Sequence, residues 1–410
     1  MSADFQHTAT LYRTHLSKGR AALGELFGGE LETSAGGAWV RTSSGRELLN
    51  CGGYGVLLMG SRHPRVVAEV RTQLHTLPVG TRLLLEPAAG RAAAALAAVA
   101  PTGMTKVHFA CSGSEAVETA IKLARTHGRT HLVSAVNGYH GKTLGALSVT
   151  ARRVYQDPFR PLLPSVSHVR YGDTEALRQE LAAHEGRAAV LLEPVQGEAG
   201  VIVPPQGYLR EVARLCREYG AFFILDEVQT GLGRLGHWWG ADRDQVVPDA
   251  LVVGKALGGG VLPVSAVLAT PAAFAPFDRD PFLHTSTFSA NPLAMAAVCG
   301  ALTAIIEDGL VGAAGRIGPQ LRRGLADLCR EVLGERVREV RGAGLLIGIE
   351  CADAELAANL LAELATAGVI ANHSLNSGRV LRLTPPAVLS ETESDFLLCA
   401  FAIAARAVAA

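Results

Sequence analysis

Short apolar runs alternate with amphipathic stretches through the middle of this chain. Residues 106–110 (KVHFA), 131–136 (HLVSAV), 188–194 (AAVLLEP), 221–228 (AFFILDEV) and 250–255 (ALVVGK) are too short for helices and apolar at successive positions. Runs of that kind predict strands buried on both faces. The stretch before residue 221 behaves differently: Leu209, Val212, Cys216 and Tyr219 recur at three or four residues, with Arg and Glu between them. That spacing predicts a helix with one apolar face. Strand and helix in alternation imply βαβ units and a largely parallel sheet.

Past about residue 300 the texture changes. Leu321, Leu325, Leu328 and Val332 predict a helix face, and VREVRGAGLLIGIEC reads as strand, turn and strand. A second helix over about 354–367 ends at Gly368, and VLRLTPP is a further short strand. Ser390 with Glu393 forms a capping box ahead of a C-terminal helix. This half reads as a smaller α+β domain. A chain of 410 residues exceeds the size at which one core stops growing, so two domains are expected. The expected layout is an N-terminal segment (1–50) joining the small domain, a large domain (51–300) and a small C-terminal domain (301–410).

Composition narrows the partners. The 38 basic residues balance 38 acidic ones, which leaves no net field to attract nucleic acid or an anionic membrane. Seven cysteines stand singly, with no Cys-x-x-Cys pair, and read as reduced thiols, without disulfide framework or metal site. The first twenty residues carry no apolar run behind a basic start, so no signal peptide is expected. The long uncharged stretch 256–277 is broken by Gly258, Gly259, Gly260, Pro263 and Pro271, which excludes a spanning helix there. A cytoplasmic location is expected. Asn372-His373-Ser374 fits a glycosylation sequon, a chance match without a secretory route.

Three places carry candidate chemistry. Lysine is rare, with five in the chain, and Lys255 alone ends an apolar strand, followed by a Gly-rich turn. It is either a snorkelling side chain or a desolvated amine with lowered pKa and raised nucleophilicity. Asp226 ends another strand, and ligands of open α/β sheets bind outside such ends. An acid beside an activated lysine is what pyridoxal phosphate needs, since a carboxylate keeps the pyridine nitrogen protonated. The third place, Cys111-Ser112-Gly113-Ser114-Glu115, leads from a strand into a helix whose N-terminus suits a phosphate, although Ser114 also reads as an ordinary N-cap. Gly231-x-Gly233-x-x-Gly236 matches a dinucleotide fingerprint but lacks the strand before it and the helix after it, which excludes that use.

Taken in order, FACSGSEAVETAIKLAR, NGYHGKTLGALS, LLEPVQGEAG, ILDEVQTGLGRLG, GKALGGG, HTSTFSANPLA and VLRLTPP resemble the class III (ornithine/ω-amino) aminotransferases of fold type I, over residues 35 to 400. The resemblance implies an α/β fold: a large domain with a mostly parallel seven-stranded sheet flanked by helices, plus a smaller α+β domain. It implies pyridoxal 5'-phosphate, held as a Schiff base by Lys255, which then shuttles the proton. By the same resemblance Asp226 pairs with the pyridinium nitrogen, Gln229 meets the ring hydroxyl oxygen and Tyr139 stacks on the ring. Gly113 and Ser114 hold the phosphate, and Ser112, His140, Glu193 and Val228 line the cofactor pocket. Thr287 reaches the phosphate of a neighbouring subunit, which makes the enzyme a homodimer with shared active sites. Glu198 and Arg382 form a switch pair: Arg382 grips a keto-acid carboxylate, and Glu198 neutralises it when an amine end enters.

The implied reaction moves a terminal amino group from a diamine or ω-amino acid to 2-oxoglutarate or pyruvate. Lys142 stands where ornithine-type members carry an arginine for the substrate carboxylate, which leans toward a diamine such as putrescine. Tyr54 falls where ornithine-type members place a substrate-contacting tyrosine, which leans the other way. Ser61 replaces the usual His of Gly-His-x-x-Pro, and Ser289-Ala290 replaces Gly-Gly. Two other readings compete: a racemase, epimerase or aminomutase on the same scaffold, and a cofactor-binding regulatory module. The presence of both Glu198 and Arg382 favours transfer.

Overall fold

A computed structural model describes residues 1–409 and folds them around three sheets. The first is a meander of β1 (Glu32–Gly36), β2 (Trp39–Thr42) and β3 (Glu47–Asn50), each antiparallel to the next. The central sheet takes β4 (Lys106–Ala110), β5 (His131–Ala135), β6 (Val166–Val169), β7 (Ala188–Leu192), β8 (Phe222–Asp226), β9 (Ala250–Val253) and β10 (Ser265–Ala269). Their spatial order is β4-β10-β9-β8-β7-β5-β6. From β6 to β9 neighbours run parallel, and β10 is antiparallel to both β4 and β9.

The apolar runs explain this placement. Every residue of β7, β8, β9 and β10 is buried, and alternate residues serve different cores. Val190, Leu192, Phe223 and Leu225 join one cluster, while Ala189, Leu191 and Ile224 join another on the opposite face. A strand covered on both faces has no polar side to show, which is why these segments read as continuous apolar runs. The predicted helix is Tyr208–Glu218, with Leu209, Val212 and Cys216 buried.

β10 was not expected. It lies inside the uncharged stretch 256–277, which folds as a turn, this strand and the helix Pro271–Arg279. Pro263 falls before the strand and Pro271 opens the helix, so neither interrupts a ladder.

The third sheet follows as predicted from VREVRGAGLLIGIEC. It contains β11 (Val337–Ala343), β12 (Leu346–Cys351), β14 (Asn372–Ser374) and β15 (Ser377–Leu383), in the order β11-β12-β15-β14. The short β13 (Val369–Ile370) leaves this group and runs parallel to β3, Val369 opposite Leu49. The helix Ala354–Thr366 starts at Asp353, whose Oδ1 accepts the Leu356 N–H at 2.8 Å. The Ser390–Glu393 box closes as expected: Glu393 N–H donates to Ser390 Oγ (3.2 Å), and Ser390 N–H donates to Glu393 Oε2 (2.8 Å). Residue 300, where the texture changes, lies inside the helix Pro292–Glu307, which packs against Pro64–Thr76. Gly300 permits that approach, since a Cβ there would come within 2.8 Å of Val66 Cα. Among the described residues no single helix is long and apolar enough to cross a membrane.

Candidate active site

The C-terminal ends of β4, β5, β7, β8 and β9 open on one side of the central sheet, where ligands of such sheets bind. A cavity of about 220 Å³ lies there, lined by Ser112, Gly113, Ser114, Tyr139, His140, Gly141, Glu193, Glu198, Asp226, Val228, Gln229 and Lys255. Residues spread over 144 positions of sequence thus converge through the strand ends, from Ser112 to Lys255 (255 − 112 + 1).

Asp226 is the last residue of β8 and is buried. Its Oδ2 lies 2.8 Å from His140 Nδ1, and its Oδ1 accepts the Val228 N–H at 3.0 Å. His140 is held in turn by its backbone, whose N–H donates to Thr150 Oγ1 (2.9 Å), while the Thr150 hydroxyl donates to Gly141 O (3.0 Å). The other ring nitrogen, Nε2, is buried without a partner.

Lys255 follows β9 at the start of a tight turn, with φ of 47°, a left-handed conformation that costs a non-glycine residue about 1 kcal/mol or more. Burial pushes its ammonium down to about 8, against the pull of Glu198. The amine is therefore neutral in a sizeable fraction of molecules near neutral to mildly basic pH, the nucleophilic form.

The helix Gly113–Thr126 points its N-terminus at the cavity. Its cap is Ser112, whose Oγ accepts the Glu115 N–H (3.3 Å), and not Ser114. Ser114 is left in the first turn, packed so closely against Gly141 (φ 123°) that no Cβ fits there. Free N–H groups and the positive end of the dipole suit a phosphate at this position.

Glu193 braces the backbone: it accepts the N–H groups of Tyr139 (3.1 Å) and Gly197 (3.2 Å). Burial pushes its carboxyl up to about 7. Burial likewise raises the Tyr139 phenol, with Glu198 adding to the effect. Gln229 donates from Nε2 to Tyr54 O at 3.5 Å, and its Oε1 is buried without a partner.

The third sheet supplies Arg382, fully buried on β15 opposite Gly348 of β12. Its Nη1 lies 2.5 Å from Glu198 Oε1, so the pair joins the loop after β7 to the third sheet. Glu198 Oε2 also accepts the Leu375 N–H (2.8 Å). The Tyr54 ring, half exposed and with φ of 53°, lies 6.0 Å from the Arg382 guanidinium carbon.

Four residues expected in the site stand outside the cavity lining: Tyr54 and Arg382, next to each other, and Lys142 and Thr287. Lys142 is exposed at its rim, with Nζ 4.0 Å above the Tyr155 ring, and Tyr155 donates to Leu375 O (3.0 Å). Thr287 is exposed on a loop whose carbonyls at Thr287 (3.2 Å) and Ser289 (3.0 Å) accept from Arg82 Nη1. Of the two departures, Ser61 pairs by backbone with Gly37, and Ala290 takes the left-handed φ of 55° in a position that favours glycine.

Sequence reasoning overlooked Gly141, Tyr155 and Arg234. The first sat in the quoted run NGYHGKTLGALS, beside two chosen residues. Arg234 lies within the rejected glycine fingerprint, a turn that carries its side chain inward to the carbonyls of Leu345, Pro385 and Gly55.

The cavity fits pyridoxal phosphate on its own chemistry. It combines an amine of lowered pKa, a buried carboxylate, a helix N-terminus and two buried polar atoms, His140 Nε2 and Gln229 Oε1, with no protein partner. Fold and cavity together define a fold type I transferase that uses this cofactor. The chain matches the class-III aminotransferase family over residues 31–404 and belongs to it. It is therefore a transaminase dependent on pyridoxal phosphate. Similar solved structures include the ornithine aminotransferase of Toxoplasma gondii, 30% identical over 100% of this chain and 98% of that one, TM-score 0.87. The acetylornithine aminotransferase of Elizabethkingia anophelis is also 30% identical, over 98% and 99%, TM-score 0.86. An engineered thermostable ω-transaminase is 28% identical over 94% of each chain, TM-score 0.86.

Proposed function

We propose that the enzyme moves a terminal amino group from a diamine or ω-amino acid to 2-oxoglutarate or pyruvate. The observation that carries this reading is the buried Glu198–Arg382 pair, in which Glu198 lines the cavity and Arg382 stands behind it. Arg382 offers a planar fork for a keto-acid carboxylate, and Glu198 keeps that charge neutralised when the entering group is an amine. An enzyme that only inverts a stereocentre needs no such alternation, which favours transfer over the isomerase reading.

When bound, pyridoxal phosphate supplies an electron sink for the carbon that loses its proton. Lys255 would hold the cofactor through its Nζ and, once released by the donor amine, would be the base that takes and returns the proton of the donor's amine-bearing carbon. Asp226, oriented by His140, keeps the ring nitrogen protonated. Gln229 would meet the ring hydroxyl, and Tyr139 and Val228 would hold the ring between them and the rest of the cavity wall. Ser112, Gly113 and Ser114 receive the phosphate. Glu193 fixes Tyr139 through its backbone.

The exposed Thr287 belongs to this scheme as a phosphate ligand in a partner's site, within a homodimer that works in the cytoplasm. Exposed Leu83, Leu84, Leu85, Phe282 and Phe288 support a second copy covering that region. The solved ornithine and acetylornithine aminotransferases support an ω-amine donor. Lys142, resting on Tyr155 at the rim, is a poor carboxylate fork and supports a diamine; Tyr54 beside Arg382 supports ornithine.

The test is a half-reaction panel on the holoenzyme without keto acid. Putrescine, cadaverine, L-ornithine, L-lysine and 4-aminobutyrate are added separately while the cofactor absorbance is followed. At least one donor is expected to bleach the band, and 2-oxoglutarate or pyruvate to restore it. No bleaching by any of the five would overturn the substrate class proposed.

A further inference from the structure

On the central sheet, at the opposite end of β5 from the cavity, three side chains converge that transamination does not use. His131 opens β5, about 13 Å along the strand from Ala135 at the cavity end. Glu180 lies on the helix Thr174–Ala183, and His184 caps it four residues later, on the same face. His131 Nε2 is 2.9 Å and His184 Nε2 is 3.3 Å from the same oxygen, Glu180 Oε1. The two imidazoles stack with centroids 3.5 Å apart and planes 12° off parallel. One ligating atom from each of the three lies within 4.8 Å of the others.

We propose that His131, Glu180 and His184 form a binding site for one divalent transition-metal ion of the zinc class. The spacing carries the argument. A tetrahedral ion with bonds of about 2.0–2.1 Å sets its ligand atoms about 3.3 Å apart, so the nitrogen–oxygen separations of 2.9 and 3.3 Å suit one once the stacked imidazoles rotate to aim both lone pairs at it. Two imidazoles with one carboxylate select zinc, cobalt, nickel or copper over magnesium or calcium, which prefer oxygen alone.

Without an ion, His131 Nε2 and Glu180 Oε1 share a hydrogen bond at 2.9 Å, so an ion entering there displaces that proton. Ser167 of β6 donates to Glu180 Oε1 at 2.7 Å and so orients the ligating oxygen, as supporting hydrogen bonds do in metal sites. All three side chains retain partial exposure, so solvent can supply the fourth ligand. The ion pins the end of the helix Thr174–Ala183 to the sheet and takes no part in the transfer chemistry.

The test uses chelator-treated holoenzyme titrated with zinc chloride by calorimetry. Wild type is expected to bind one ion per chain with micromolar or tighter affinity. Glu180→Gln and His184→Ala, each with unchanged cofactor absorbance and circular dichroism, are expected to bind at least about 10-fold more weakly. Cobalt in place of zinc is expected to give visible bands of a four-coordinate ion in wild type, absent in both variants. Zinc affinity equal in wild type and the two variants, or cobalt bound without those bands, would mean that the cluster is only a hydrogen-bonded His–Glu–His network.

Discussion

Glu198 and Arg382 face each other 2.5 Å apart where water is nearly excluded, so each depends on the other. Glu198→Gln removes the negative charge and leaves a buried guanidinium uncompensated, a change that costs about 3–5 kcal/mol. Urea unfolding of the apoenzyme is expected to show that loss. In stopped-flow half-reactions the amine step is expected to slow by at least about 10-fold relative to the keto-acid step, since only the former needs Arg382 neutralised. Lys255 gives a prediction with pH. Its folded-state pKa, about 8, lies below the ordinary 10.5, so folding disfavours the charged amine. That penalty is complete below about 8 and fades as pH rises to 10.5, so this group's contribution to apoenzyme stability improves across that window. The apo Lys255→Met variant is accordingly expected to exceed wild type by about 2–3 kcal/mol at pH 7, with the gain vanishing near pH 10.5 in denaturant titrations. The same variant is expected to lose transamination entirely, which assays of product formation will show.

Among the elements, the turn that holds Arg234 joins parts far apart in sequence. Its guanidinium donates to Gly55 O (3.2 Å), Leu345 O (3.4 Å) and Pro385 O (2.5 Å), and burial lowers its pKa to about 10. Arg234→Met fills the space but strips three buried carbonyls of their donor. At about 1–3 kcal/mol for each, the loss is expected to reach at least about 3 kcal/mol by thermal or urea unfolding. Nothing in the residue pattern announces this role, because a charge satisfied by backbone carbonyls leaves no partner residue to recognise. The strands were legible for the opposite reason. β7, β8 and β9 are short apolar runs with a charged residue at or just beyond an end (Arg187 and Glu193, Asp226, Asp249), whereas β10 hid in an uncharged stretch with no such boundaries. Lys255 and Asp226 were legible because a charge at the end of an apolar strand breaks the local rule. The cap at Ser112, against Ser114, turned on two residues of register that composition does not set.

At the scale of the whole molecule, Leu83, Leu84, Leu85, Phe282 and Phe288 are all exposed, and Arg82 ties the first three to the loop of Thr287. If these residues cover the proposed second copy, Leu84→Asp is expected to yield monomer in sedimentation and to weaken cofactor affinity, read as loss of bound cofactor on dialysis. Thr287→Ala is expected to weaken that affinity about 10-fold while leaving the dimer intact, consistent with loss of one hydrogen bond to a charged group. The pairing of β3 with β13 has a consequence in time. Val369 lies opposite Leu49, so the sheet begun by the first fifty residues is completed by a strand made 320 residues later (369 − 49). At about 5–20 residues per second, a ribosome takes roughly 16–64 s to cover that interval. For that period the nascent meander carries an open edge on β3, a template for any passing strand. The cell must shield it, or the emerging chain must keep the meander unformed until its last neighbour arrives.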